Sequence, residues 1–177
     1  GLSIDSSTGE ISGTPTIISG LNSYTVYANN SGGSATANID ITVNDVPPSA
    51  IIYSTTSFVE TKGAAMISIT PTASGGPVVT WVVSPSLPTG LSINPTTGEI
   101  SGTPSVISPL TTYTIVAINT GGSTTTEINI TVNDVIPSSI IYSTTSFIET
   151  KGTPMTSITP TASGGPVVTW SITPSLP

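Results

Sequence analysis

The chain has no cysteine and no histidine, and its only basic residues are two lysines, Lys62 and Lys151. Without cysteine there is no disulfide to report a redox compartment and no thiolate to act as a nucleophile. The lack of histidine also removes the commonest general base and the usual nitrogen ligand of transition metals. Nine acidic residues against two lysines leave a net charge of −7. That balance excludes nucleic acid as a partner, because binding a phosphate backbone requires clustered cations that displace counterions. No apolar run reaches the roughly 18 residues of a membrane helix, so no membrane span is expected in this segment. Neither an initiator methionine nor a leader-like stretch opens the sequence, which fits a mature or internal segment of a longer protein.

What the chain has instead is threonine, serine, valine and isoleucine, punctuated throughout by 16 prolines and 17 glycines. Proline or glycine interrupts nearly every run that would otherwise reach the ten or so residues a helix needs. The composition is that of an all-β protein with many short strands separated by turns.

The sequence also repeats itself. "GLSIDSSTGEISGTPT" from Gly1 returns as "GLSINPTTGEISGTPS" from Gly90, "IIYSTTSFVETKG" from Ile51 as "IIYSTTSFIETKG" from Ile140, and "PTASGGPVVTW" from Pro71 unchanged from Pro160. All three echoes are displaced by 89 residues. A period of that size exceeds a solenoid unit and matches a small domain able to fold on its own apolar core. The segments "VNDVPPS" at 43–49 and "VNDVIPS" at 132–138 read as linkers, because proline stops strand pairing there. The expected organisation is therefore the C-terminal half of a repeat at 1–46, a complete repeat at 47–135 and the N-terminal half of a repeat at 136–177.

Period-two patterns run through each copy. "VVTWVVS" sets Val79, Trp81 and Val83 on one face, with Val168, Trp170 and Ile172 as their copies, and "TYTIVAIN" sets Tyr113, Ile115 and Ala117 inward as "SYTVYANN" does Tyr24, Val26 and Ala28. "EINITVND" alternates Ile128, Ile130 and Val132 against polar neighbours, and a Gly-Gly turn joins it to the preceding strand. "GLSINPTTGEISG" is a second hairpin. In "MISITPTAS", Met66 and Ile69 have opposite parity and both look buried, which a bulge would reconcile. The count is about seven strands per 89 residues, an antiparallel β-sandwich.

The run "TWVVSPSLPTGLSINPTTGEISGTPS", followed by "TTYTIVAINTGGS" and by "ITVNDVPPS", resembles the immunoglobulin-like, cadherin-related tandem repeat of bacterial and archaeal surface proteins. The resemblance implies tandem Ig-like sandwiches along an extracellular stalk, adhesin or filament, and it carries no catalytic residue. It also raises calcium, which cadherin-like repeats bind at domain junctions. Here the linker keeps Asn44, Asp45 and Pro47, and the junction recruits little beyond Asp45 and Glu60, or Asp134 and Glu149 in the next copy. Such a set is too small for the six to eight oxygens calcium takes, and an Asx-type turn is the simpler reading, so no metal or cofactor is expected.

Catalysis has little to work with. Asp5 and Glu10 flank a turn as a candidate carboxylate pair, yet the copy has Asn94 and Glu99, and a lone serine without a base is a poor nucleophile. Trp81, Trp170, Tyr24 and Tyr113 read as core residues rather than a sugar-stacking platform, since their faces point inward. A surface this poor in charge suggests glycans, with Asn29 (Asn29-Asn30-Ser31) and Asn129 (Asn129-Ile130-Thr131) as candidate attachment sites and exposed threonines as O-linked ones. The expectation is a non-enzymatic structural segment of an extracellular filament or surface stalk, a head-to-tail array of copies of itself whose Ig-like domains are completed either through continuous chain or by donation between subunits. The alternative is an adhesin or carbohydrate-binding array.

Overall fold

The computed structural model describes residues 1–177 and contains strands and turns with no helix. The first half-repeat holds β1 (Leu2–Ile4), β2 (Ile11–Gly13), β3 (Ser19–Asn30) and β4 (Gly33–Val43). The middle repeat holds β5 (Pro48–Ile52), β6 (Ser57–Thr61), β7 (Thr72–Gly75), β8 (Thr80–Ser84), β9 (Leu91–Ile93), β10 (Ile100–Gly102), β11 (Ser108–Asn119) and β12 (Gly122–Asn133). Only β13 (Pro137–Ile141) and β14 (Thr161–Gly164) follow.

The middle repeat is organised around the long hairpin of β11 and β12. Alternation puts Tyr113, Ile115 and Ala117 of β11, and Ile128, Ile130 and Val132 of β12, on one face, and all six are buried. Their polar neighbours Thr112 and Asn129 meet on the outer face, where the threonine hydroxyl donates to Asn129 Oδ1 at 2.7 Å. Two edge strands widen the hairpin into a four-stranded sheet of order β6-β12-β11-β8. The β8 edge is antiparallel to β11, whereas β6 runs parallel to β12, the one parallel pair in an otherwise antiparallel fold. Against this sheet pack the β5–β7 pair and the β9–β10 hairpin, which bring Ile51, Tyr53, Leu91 and Ile100 into the same core as Phe58, Met66 and Trp81.

Trp81 is 5% exposed and its ring lies directly over Gly98, where an added Cβ would fall 2.7 Å from Cδ2. Gly98 also has φ of +73°, so the turn requires glycine on both counts. The Tyr53 hydroxyl donates to the Gly98 carbonyl at 2.7 Å, and burial pushes its pKa up to about 12. The two aromatic side chains thus converge on one turn.

Several expectations change. Val79 is exposed and lies outside β8, which begins at Thr80; Val78 packs against the core in its place because the chain is still leaving the Gly-Gly-Pro turn. The Met66 and Ile69 conflict is resolved by an extra residue. Met66 N–H donates to Gly102 O and Ile69 N–H to Ile100 O, so three residues span what two span on β10, and both side chains reach the core. The middle repeat has eight strands, each edge strand being short.

The largest correction concerns Tyr24 and Trp170. Their equivalents Tyr113 and Trp81 are buried, but in this chain Tyr24 is 47% exposed and Trp170 is 52% exposed. The cause is topological. β3 and β4 pair only with each other, and β13 and β14 likewise, so neither half-repeat has a second layer to close over its apolar face. Sequence identity does not compensate, since "SFVET" at 57–61 is the strand β6 while "SFIET" at 146–150 is not a strand. "TWVVS" at 80–84 is the strand β8, and its copy at 169–173 is likewise not one. Both depend on a neighbouring hairpin for their hydrogen bonds.

Substituting Trp81→Ala in the whole chain is expected to cost the middle repeat about 3 to 5 kcal/mol, read as lost thermal or denaturant stability. Gly98→Ala should also destabilise, and by more than Gly9→Ala, whose added Cβ meets nothing within 4 Å. Equal effects of the two glycine changes would contradict the Trp81 packing.

Candidate functional site

The most constructed polar site lies where the first half-repeat joins the middle one. Four residues separate Val43 at the end of β4 from Pro48 at the start of β5, and they are held against the tip of the β11–β12 hairpin. Asn119 is its hub and is 8% exposed. Its Nδ2 donates to the carbonyls of Val46 at 2.7 Å and Pro77 at 3.0 Å, and its Oδ1 accepts the N–H groups of Gly121 at 2.8 Å and Gly122 at 3.1 Å. One side chain therefore ties together the joint, the Gly-Gly-Pro turn and its own hairpin turn, with its donor and acceptor atoms all engaged. Asp45 N–H donates to Thr120 Oγ1 at 3.1 Å, a second side-chain bond to the joint.

Glycine makes the close approach feasible. A Cβ at Gly76 would lie 1.7 Å from the Val46 carbonyl oxygen, and one at Gly121 would lie 1.9 Å from the Asp45 carbonyl oxygen. The following joint has the same form, since a Cβ at Gly165 would fall 1.6 Å from the Val135 carbonyl oxygen. Any side chain at these positions would push the joint off its seat.

The acidic candidates have local partners. Asp45 Oδ1 accepts the Val46 N–H at 2.8 Å and Asp134 Oδ1 the Val135 N–H at 2.9 Å, and no three carboxylates come together in the chain. Asp5 Oδ1 accepts the N–H groups of Ser7 at 2.7 Å and Thr8 at 3.0 Å, which holds its carboxyl below the ordinary value of 3.8. Asn94 Oδ1 makes the same bonds to Thr96 and Thr97 at 2.9 and 3.2 Å. The Asp5 and Asn94 exchange between copies is thus a turn cap in two forms, each an acceptor oxygen aimed at two backbone donors.

Residues 1–44 and 48–133 match the model of a protein family described as "Putative Ig domain". The chain belongs to this immunoglobulin-like family. Both matched stretches stop at the joint, and residues 134–177, outside them, repeat 45–88 at the same 89-residue displacement. No curated protein matches the chain. Among solved structures, the Ig-like chain is similar to a chimeric titin Z1Z2-Z1Z2 tandem at 19% identity and a TM-score of 0.35, over 64% of this chain and 65% of that one. It is also similar to the extracellular domains 3–5 of Drosophila OTK, at 16% identity and a TM-score of 0.42, over 75% of this chain and 46% of that one. Protocadherin Gamma B2 extracellular cadherin domains 1–5 match at 17% identity and 0.36, over 80% and 31%. The chain thus spans less than two thirds of each of these three.

The two candidate glycan sites differ in setting. Asn29 is exposed near the end of β3. Asn129 is half-buried mid-strand in β12, an interior strand of the sheet, with its Oδ1 bonded to Thr112. In the Ig-like half-repeat the same cross-strand pair is Ser23 with Asp40, so the slot holds a polar partner in both copies.

Sequence reading passed over Asn119, Gly76 and Gly121, which build the joint, and it left Tyr53 unplaced. The alternation Ile51 and Tyr53 against Ile52 carried the signal for Tyr53. Asn119 followed by Gly-Gly had no such periodic signal, because its partners lie 73 and 42 residues away.

Two outcomes follow for the Ig-like repeat. Asn119→Ala should destabilise it by about 2 to 3 kcal/mol in chemical denaturation, because buried carbonyls and turn N–H groups lose their partner. For Asp5, whose pKa is lowered by folding, the stabilising bonds are complete above about 3.8 and are lost as pH falls through the lower folded value. NMR titration should therefore show the Ser7 and Thr8 amide signals moving in acid while those of Thr96 and Thr97 stay fixed.

Proposed function

We propose that this chain is a structural, non-enzymatic segment of an extracellular filament or cell-surface stalk, in which Ig-like repeats succeed one another head to tail. The observation that carries the reading is the clamped joint. A flexible tether would be free of such contacts, yet here Asp45 and Val46 are strapped by Thr120 and Asn119 and their carbonyls are seated against Gly121 and Gly76. Joints of this kind transmit direction from one domain to the next, which a stalk or filament requires and an isolated module does not. Copies of the same repeat are the partners, and glycans on exposed Asn29 or on surface threonines supply the hydration that so few charges cannot.

An adhesive or carbohydrate-binding array is the weaker reading. Trp81, Tyr53 and Tyr113 form the interior of the complete repeat, so its largest aromatic side chains are not available for sugar stacking.

The test is to image tandem arrays of complete 89-residue repeats by electron microscopy. Straight rods are expected, with an axial spacing of about 40 Å per domain set by strands of a dozen residues. Arrays carrying Asn119→Ala in every repeat should bend more freely. Beads hinged at random angles in the unsubstituted array would remove the reading.

A further inference from the structure

Between β10 and the first paired residues of β11 the chain carries large aliphatic side chains into solvent. Val106, Ile107 and Leu110 are each more than half exposed, although the middle repeat has both of its layers. Their equivalents 89 residues earlier, Ile17, Ile18 and Leu21, are aliphatic too and equally bare. Neither the rest of the repeat nor the repeat that follows covers these positions. The middle repeat has residues 47–88 in place and leaves Val106, Ile107 and Leu110 open, while residues 1–46 are followed by a complete repeat that leaves Ile17, Ile18 and Leu21 open. The preceding repeat joins beside Asn119, at the opposite end of β11 and roughly 40 Å away. Whatever continues beyond either end of the chain, each kind of neighbour is already present in one copy or the other.

The exposure is built into the backbone. Thr103 and Ser105 N–H groups donate to the Gly90 and Thr89 carbonyls at 3.0 and 2.8 Å, and Gly63 N–H to the Pro104 carbonyl at 2.8 Å, so the approach to the patch is pinned. There β11 bulges, with Pro109 and Leu110 together facing the single residue Thr131 of β12. The Thr111 hydroxyl closes the bulge by donating to the Pro109 carbonyl at 3.0 Å. In the first half-repeat the same shift falls between Ser19 and Asn22, and Asn22 Nδ2 donates to the Gly20 carbonyl at 3.2 Å. A bulge re-aims side chains, and in both copies a leucine is among those taken out of the ladder. Thr131 has Val59 of β6 on its other side, and Val59 is exposed as well. No charged residue occurs from 100 to 126 or from 11 to 39.

Single exposed aliphatics need no explanation, but a pinned cluster that recurs at the domain period marks a contact surface. Four side chains cannot supply the roughly 800 Å² per partner of a stable interface. A partner must therefore engage several repeats at once, matching their spacing and the rotation from each to the next. A second array of the same repeat has both by construction. We infer that these β10–β11 segments form the lateral contact between two arrays of this chain lying side by side, each repeat of one meeting a repeat of the other. Contacts that are weak singly sum along the arrays, because every one after the first is intramolecular. This inference rests on the array proposed above and adds how two arrays bundle.

Sedimentation velocity on the chain, and on versions lengthened by one and by two further 89-residue repeats, is the test. Dimers should form, and each added repeat should lower their dissociation constant by about tenfold or more. Added salt should strengthen them, because it screens the repulsion between chains of net charge −7. Val106→Ser, Ile107→Ser and Leu110→Ser, made together with the equivalent changes in every repeat, should leave the proteins monomeric at the same concentrations. The middle repeat should melt unchanged in that variant, since none of the three belongs to its core. Association that ignores the number of repeats, or that survives the serine changes, would overturn the inference. So would monomers at every length, including monomers that bind neutral phosphatidylcholine vesicles through the same residues, which would assign the patch to a lipid surface. Monomers whose arrays are nonetheless straight remove this contact alone, whereas hinged arrays also remove the reading beneath it.

Discussion

The sandwich core of the middle repeat is the interaction on which the rest depends. Ile100, Ile115, Ile128 and Ile130 are fully buried there because two layers meet, one the β6-β12-β11-β8 sheet and the other the β5–β7 pair with the β9–β10 hairpin. Neither layer can bury its apolar face alone, and the requirement reaches down to secondary structure. Residues 57–61 are a strand because β12 offers an edge, while the nearly identical residues 146–150 have no such edge and are not one. Strand formation here is a consequence of tertiary pairing, as expected of segments too short to be stable by propensity.

The proposed function rests on how such cores are joined. The joint is short, and glycine is demanded where a linker carbonyl presses on a turn. Asn119 provides the polar counterpart, satisfying the carbonyls that this close approach takes out of water. With so few charged groups in the chain, orientation between domains is set by backbone contact and amide hydrogen bonds. Ion pairs have little part in it, so the joint should be insensitive to salt.

Much of this was legible in the residues. The 89-residue period, the inward parity of Tyr113, Ile115, Ile128 and Ile130, the burial of Trp81 and the β9–β10 hairpin follow from local alternation and turn chemistry. What could not be read locally was anything fixed by a distant partner. Val79 continues the strand pattern in sequence but precedes the first paired residue, and Tyr24 and Trp170 have core character without a core around them. The Asn119 hub escaped for the same reason, since an asparagine before two glycines reads as an ordinary turn until the linker is laid across it.

The central claim is that a repeat is stable only when both its layers are present. Hydrogen exchange measured on the dilute chain tests it most directly. The amides of Ile128 and Ile130 should be strongly protected while those of Ile39 and Ile41 exchange freely. Equal protection of both pairs in a dilute monomer would contradict the claim, because the hairpin of residues 19–43 would then be stable without a covering layer.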